Sequence, residues 1–134
     1  MIDKTSVNIE LIISGDYFEI DCVSKIIGLN PTAQWKKGDP VGKKPIRRSH
    51  TCWTYAIGNR ETLDITTQWE AFLSEFKDKS ESIRQVGALY QTEILILVTI
   101  FMYDEISPYM TLSNDVMEFA NSIGARVDFD LYFY

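Results

Sequence analysis

Cysteine and histidine are scarce in this chain: Cys22, Cys52 and His50 are all there is of either. Small disulfide-stapled secreted domains are far denser in cysteine. The two thiols therefore read as buried small hydrophobes, one on a helix and one on a strand. A structural zinc site wants four ligands at paired close spacings. His50, Cys52 and a distant Cys22 supply three with one long gap, so neither a metal nor a cofactor is expected. With one histidine, any nucleophilic triad must run through His50, and the Gly-x-Ser-x-Gly elbow is absent. No apolar run reaches the roughly 20 residues that a membrane helix needs. The opening Met-Ile-Asp-Lys-Thr-Ser lacks the basic-then-apolar layout of a leader. A cytoplasmic location with no membrane partner is the default expectation.

Positive charge is also in short supply: 13 Lys and Arg stand against 19 Asp and Glu. Its densest cluster lies in residues 34–48, where Lys36, Lys37, Lys43, Lys44, Arg47 and Arg48 stand with the single acid Asp39. The net charge of −6 is thus a segment of +5 set in a remainder of −11. A nucleic-acid binder shows a basic face, so nucleic acid is not an expected partner. The segment reads either as a solvated loop neutralising an acidic surface or as a site for an anion or acidic partner. Its Gly38-Asp-Pro-Val-Gly42-Lys43-Lys44 superficially resembles a phosphate loop. However, the glycines are one residue too close, Lys44 stands where Ser or Thr belongs, and no helix follows.

What is plentiful is apolar and aromatic surface. Hydrophobic residues make up 46% and aromatics 13% of 134 residues, enough for one domain with a real core. Val7, Ile9, Leu11 and Ile13 alternate along an opening strand that turns at Gly15-Asp16. Asp21 is placed to cap a short helix with Val23, Ile26 and Ile27 inside and Gly28 at its end. Residues 32–49 form a long polar connection punctuated by Gly38, Pro40, Gly42 and Pro45, part of which can pair as an edge hairpin. Residues 50–57 read as a strand with Trp53, Tyr55 and Ile57 on one face. Thr67 and Glu70 make a capping box before the aromatic stripe Trp69, Phe72, Leu73, Phe76. Ser80 begins a further short helix carrying Ile83 and Val86 and ended by Gly87. Ser113 caps the last helix, whose inner stripe is Val116, Phe119, Ala120 and Ile123. Residues 126–134 alternate most cleanly, with Val127, Phe129, Leu131 and Phe133 on one face and Asp128, Asp130, Tyr132 and Tyr134 on the other.

Residues 92–103 organise the rest. The run Thr-Glu-Ile-Leu-Ile-Leu-Val-Thr-Ile-Phe-Met-Tyr is apolar at nearly every position, so a mid-sheet strand buried on both faces is expected. Helices would cover one side, and the basic connection or a second subunit the other. The two halves of the chain echo one another as strand, polar turn, short helix ending in Ile-Gly, and strand. The expected fold class is therefore α+β: a mostly antiparallel sheet with helices mainly on one face, in ferredoxin-like style with two βαβ-like halves.

Three groupings could carry a function. Asp128 and Asp130 share a strand face as catalytic carboxylate pairs do, but wet edge strands carry such charges ordinarily, so no catalytic residue is assigned. Tyr132 and Tyr134 beside them point to a partner surface or a homodimer. Trp35 and Trp53 could stack a ligand above the basic segment.

Taken together, these pieces resemble a bacterial family catalogued as domain of unknown function 4279. The likeness rests on the opening strand into Gly15-Asp16, Ile27-Gly28-Leu29 and Asn30-Pro31-Thr32. It extends through Trp35-Lys36-Lys37-Gly38-Asp39, Trp53, the helix from Trp69 to Phe76, and the ending from Leu112-Ser113 to Asp128-Phe-Asp130-Leu-Tyr132. The resemblance implies a small bacterial protein with no established activity or cofactor, and draws attention to Trp35, Lys37, Gly38 and Trp53. The leading expectation is a non-enzymatic protein-binding module, immunity- or antitoxin-like in its concrete form. The alternative is a small-anion or nucleotide-binding domain using residues 36–48.

Overall fold

The computed structural model describes residues 4–134; residues 1–3, the start of the opening Met-Ile-Asp-Lys-Thr-Ser, lie outside the described residues. In chain order the elements are β1 (Ser6–Gly15), α1 (Ile20–Ile27), β2 (Ala33–Trp35), β3 (Thr51–Ala56), β4 (Arg60–Glu61) and α2 (Thr66–Phe76). A 3-10 turn (Lys77–Lys79), α3 (Ser80–Tyr90), β5 (Glu93–Met102), α4 (Asn114–Ser122) and β6 (Arg126–Phe133) follow. The six strands form one sheet in the order β2-β3-β1-β5-β6, with β4 continuing beside β1. Every pairing is antiparallel except β5 with β6. The α+β class with a mostly antiparallel sheet is what the chain adopts.

The echo between the halves has a topological basis. β2 is antiparallel to β3 and β3 to β1, so β2 runs parallel to β1 with β3 inserted between them. β1-α1-β2 is thus a split βαβ unit, and β5-α4-β6 an unsplit one. In both, a left-handed glycine follows the helix: Gly28 at φ 81° and Gly124 at φ 68°. The Gly28 N–H bonds Ser24 O at 2.8 Å and so closes α1.

All four helices lie on one face. Val7, Ile9, Leu11 and Ile13 of β1 and Ile96, Val98 and Ile100 of β5 are fully enclosed, in one cluster with Trp69, Phe72, Phe76, Ile83, Val86, Val116 and Phe119. Aromatic edges knit this layer: Phe72 meets Trp69 and Phe119 edge-on at 5.8 and 5.9 Å between centroids. Gln68, 2% exposed, donates its amide to the carbonyls of Val7 and Gly58, where the chain leaves β3 and rejoins the sheet as β4.

Several expectations are corrected. Burial of β5 on both faces is not what occurs: Leu95, Leu97, Thr99 and Phe101 alternate with the enclosed residues and are only half-buried. No helix covers that side. Cross-strand neighbours shelter it in part, Phe101 stacking on Tyr132 at 5.4 Å and approaching Tyr134 at 6.0 Å. Neither the basic connection nor anything else in the described chain roofs β5. Phe129, Leu131 and Phe133 look toward the helix side yet are 39, 42 and 70% exposed, because β6 is the edge and runs beyond its helical cover. Thr67 does not cap α2; the helix starts at Thr66, whose N–H bonds Asp64 Oδ1 at 3.0 Å. Asp21 lies inside the first turn of α1, with Glu19 at the cap. Gly87 does not end its helix either, which runs on to Tyr90. Cys22 is exposed on α1; only Cys52 is buried, and both are free.

Candidate functional site

The basic connection folds upon itself. Gly38 N–H donates to Arg48 O and Arg48 N–H to Asp39 O, each at 2.8 Å, and Pro40 and Arg47 bridge across. Gly38 at φ 94° and Gly42 at φ 58° make the bends that side chains resist. Asp39 tightens the base by accepting the Lys36 N–H at 2.9 Å. The result is a short second hairpin that projects from the β2–β3 pair, with Lys43 and Lys44 exposed near its tip.

Its cations do not converge. Lys37 Nζ reaches Asp16 Oδ1 at 3.1 Å and sits 5.2 Å from the Tyr17 ring centroid. The hydrogen bond from Asp16, then its charge, hold the Lys37 ammonium above its usual pKa. Arg47 donates to Gly38 O at 3.3 Å. Arg48 lays its guanidinium 4.0 Å above the Trp35 ring. Lys36 and Lys37 border a cavity of about 450 Å³, shared with Tyr17, Phe18, Glu19, Thr51 and Tyr90. Asp16, Tyr17 and Thr51 escaped the sequence reading; Thr51 Oγ accepts the Lys37 N–H and donates to Asp16 O, a link across 35 positions that no local pattern announces.

Trp35 and Trp53 do not stack a ligand together. Register pairs Trp35 with Cys52 and Gln34 with Trp53, so the two indoles lie on opposite faces of the sheet. Trp53 is 0% exposed under the helices, and its Nε1 donates to Ser24 Oγ at 3.0 Å. That is a core tryptophan whose polar end is satisfied. Trp35 is half-buried on the helix-free face, and with Arg48 it covers Cys52. Burial pushes the Cys52 thiol up to about 11, Glu10 adding to the rise and Arg48 opposing it. His50 Nδ1 pairs with Ser49 Oγ at 2.9 Å, and Cys22 lies on the other side of the sheet from Cys52.

The remaining candidates stand at the far edge. Asp128, Asp130 and Tyr132 share the helix-free face with Trp35, but β6 and β2 are four strand spacings apart, about 19 Å. Arg126 Nε lies 3.2 Å from an oxygen of Asp128, while Asp130 is exposed. Between the two edges lie Ile12 of β1 and three residues of the run expected to be covered on both faces. Ile12 and Leu95 stand opposite one another there, with Leu97 and Phe101 further along β5 on the same face, opposite Glu10 and Ser6. Glu61, Glu93, Asp128 and Asp130 border them on the same face and Glu10 is set among them, against Arg126 and Lys4, whose Nζ lies 3.8 Å from Glu61 Oε2. Thr54 Oγ holds Glu10 Oε2 at 2.9 Å.

No group of three or more His, Cys, Asp or Glu is arranged to hold a metal among the described residues. No helix among them is long and apolar enough to cross a membrane. No curated protein and no solved structure matches the chain. A family model does match, over residues 5–134, essentially the whole chain: it belongs to the family described as Domain of unknown function (DUF4279).

Proposed function

We propose that the chain is a non-enzymatic protein-binding module that docks its partner on the helix-free face of the sheet. The observation that carries this reading is the cluster of Ile12, Leu95, Leu97 and Phe101 on the helix-free face, with Glu10 beside Leu97 and carboxylates prevailing along its border. Contiguous apolar surface rimmed by charge is the composition of an interaction site. The partner it fits is a protein with basic side chains around an apolar patch. The acidic charge of the chain outside residues 34–48 steers such a partner inward, so association is fast and salt-sensitive. An immunity- or antitoxin-like protein holding a basic toxin is the concrete form of this reading. Asp128 and Asp130 are given no chemical role, since one is tied to Arg126 and the other stands in solvent.

Low-salt capture from the native host tests it. A basic protein retained by the wild type, released by salt and not retained by a folded Leu97→Lys variant supports the reading. Recovery of the chain alone, or equal retention by Leu97→Lys, refutes it. The alternative, small-anion or nucleotide binding, has the Lys36–Lys37 cavity in its favour. Glu19 in its wall and the committed Lys37–Asp16 pair weigh against it. A phosphorylated metabolite at 100 times its dissociation constant would stabilise the fold by about 2.7 kcal/mol. Lys36→Ala with Lys37→Ala would abolish that shift.

A further inference from the structure

The free edge of β6 is built to meet itself. Tyr134 N–H bonds Met102 O at 2.9 Å, and Tyr134 O accepts from Asp104 N–H at 3.0 Å. In a parallel pair the residues that aim both backbone groups at the neighbour alternate. Asp128, Asp130, Tyr132 and Tyr134 therefore face β5, while Phe129, Leu131 and Phe133 aim N–H and C=O at open solvent. Those same three residues carry side chains 39, 42 and 70% exposed. Natural edges are blunted by charge, proline or a bulge; residues 126–134 contain neither Pro nor Lys, and their charges, Arg126, Asp128 and Asp130, all lie on residues whose backbone faces β5.

We infer that β6 pairs antiparallel with β6 of a second copy, about a two-fold axis normal to the sheet through Leu131. The register follows from charge. A two-fold on Asp128 or on Asp130 sets that carboxylate against its own mate, and one on Phe129 sets Asp128 against Asp130. Like charges directly opposite destabilise a ladder. A two-fold on Val127 leaves only residues 126–128 in strand, and one on Tyr132 shortens the ladder. Centred on Leu131, residues 128–134 of each copy pair, and no two carboxylates are opposed. Phe129 of one copy then meets Phe133 of the other beside a Leu131 pair, on the helix side. On the helix-free side Asp130 faces Tyr132 and Asp128 faces Tyr134, each carboxylate opposite a phenol that can donate to it. The sheet becomes continuous through both copies, and the two apolar, acid-rimmed faces lie side by side. The dimer uses an edge, not the docking face, and purified protein alone tests it, so it stands or falls separately from the partner reading.

Leu131→Pro is the discriminating variant. It removes an N–H that only the second copy uses and leaves the β5–β6 bonds intact. Sedimentation of the wild type at high micromolar concentration is expected to show a dimer, and Leu131→Pro a monomer with the same far-ultraviolet circular dichroism. Leu131→Lys serves if the proline variant fails to fold. In a Cys22→Ser, Cys52→Ser background, Leu131→Cys is expected to cross-link to its mate under mild oxidation. Hydrogen-bonded partners stand about 5.5 Å apart at Cα, within disulfide reach. Phe129→Cys, offset from its own mate by four positions, is expected not to. A monomeric wild type, a dimer that survives both Leu131 variants, or faster cross-linking at Phe129 than at Leu131 overturns the inference.

Discussion

Whether the basic segment closes over the sheet or leaves a pocket can be read from one thiol. Cys52 is 4% exposed on the helix-free face, beside Trp35 in register, with Arg48 stacked on that ring. Its thiol is pushed up to about 11. Only thiolate attacks a disulfide reagent. At about pH 8 a pKa near 11 leaves roughly 0.1% thiolate, against roughly a tenth at the ordinary value of 9.0. The thiolate fraction therefore falls about 100-fold relative to the unfolded chain; the greater nucleophilicity of the more basic thiolate returns about tenfold of that, and steric shielding slows labelling further. The assay is the rate of chromogenic disulfide exchange in a Cys22→Ser background, native against urea-unfolded. Arg48→Ala and Trp35→Ala are expected to speed native labelling by opening the cover, with circular dichroism unchanged. Native labelling within tenfold of the unfolded rate would falsify the closed arrangement and restore the case for a ligand pocket between the hairpin and the sheet.

The same thiol makes stability pH-dependent. Its folded pKa lies above its ordinary value of 9.0, so the folded chain keeps a proton that the unfolded chain releases. The stability margin over Cys52→Ala is full below about pH 9 and shrinks by up to about 3 kcal/mol toward pH 11; an unchanged difference in urea midpoints contradicts this. Gln68→Met strands the buried Val7 carbonyl, while the Gly58 carbonyl, on an exposed residue, can take water. The expected loss is about 1–3 kcal/mol in urea denaturation, and a loss under about 0.5 kcal/mol means the amide is not holding the strand. Phe72→Ala empties a fully enclosed site between Trp69, Phe76 and Phe119. It should cost about 3–5 kcal/mol by the same measurement. Ser113→Ala removes the oxygen that accepts the Val116 N–H at 3.3 Å. A loss of about 1 kcal/mol is expected, with Ser113→Asp recovering most of it.

Much of the architecture was legible because it is written in local periods. Alternation in residues 7–14 and 126–134 marks strands, the Trp69–Phe72–Phe76 spacing marks a core helix, and Ser113 marks a cap that the structure uses. The two Ile-Gly helix ends pointed correctly to a repeated βαβ unit. Capping of α2 was misread because Asp64, three positions before Thr67, reached the orphan Thr66 N–H first. Gly87 was misread as a stop because helix-breaking propensity is weak against tertiary contact, and α3 lies over Ile94 at that point.

Composition and periodicity by themselves determined the fold class, the enclosed face of the opening strand and the uneven charge, because each depends on residues close in sequence. Only the tertiary structure decided which surfaces remain open. Trp35 and Trp53 look equivalent in the chain, yet antiparallel register sends one to the core and the other to the helix-free face. Residues 92–103 read as doubly buried, yet sheet order gave all four helices to one side. Phe129, Leu131 and Phe133 have the spacing of a core stripe and stand exposed because β6 is last in the sheet. Strand order is a global property, set by how every element shares one core, and no window of sequence contains it.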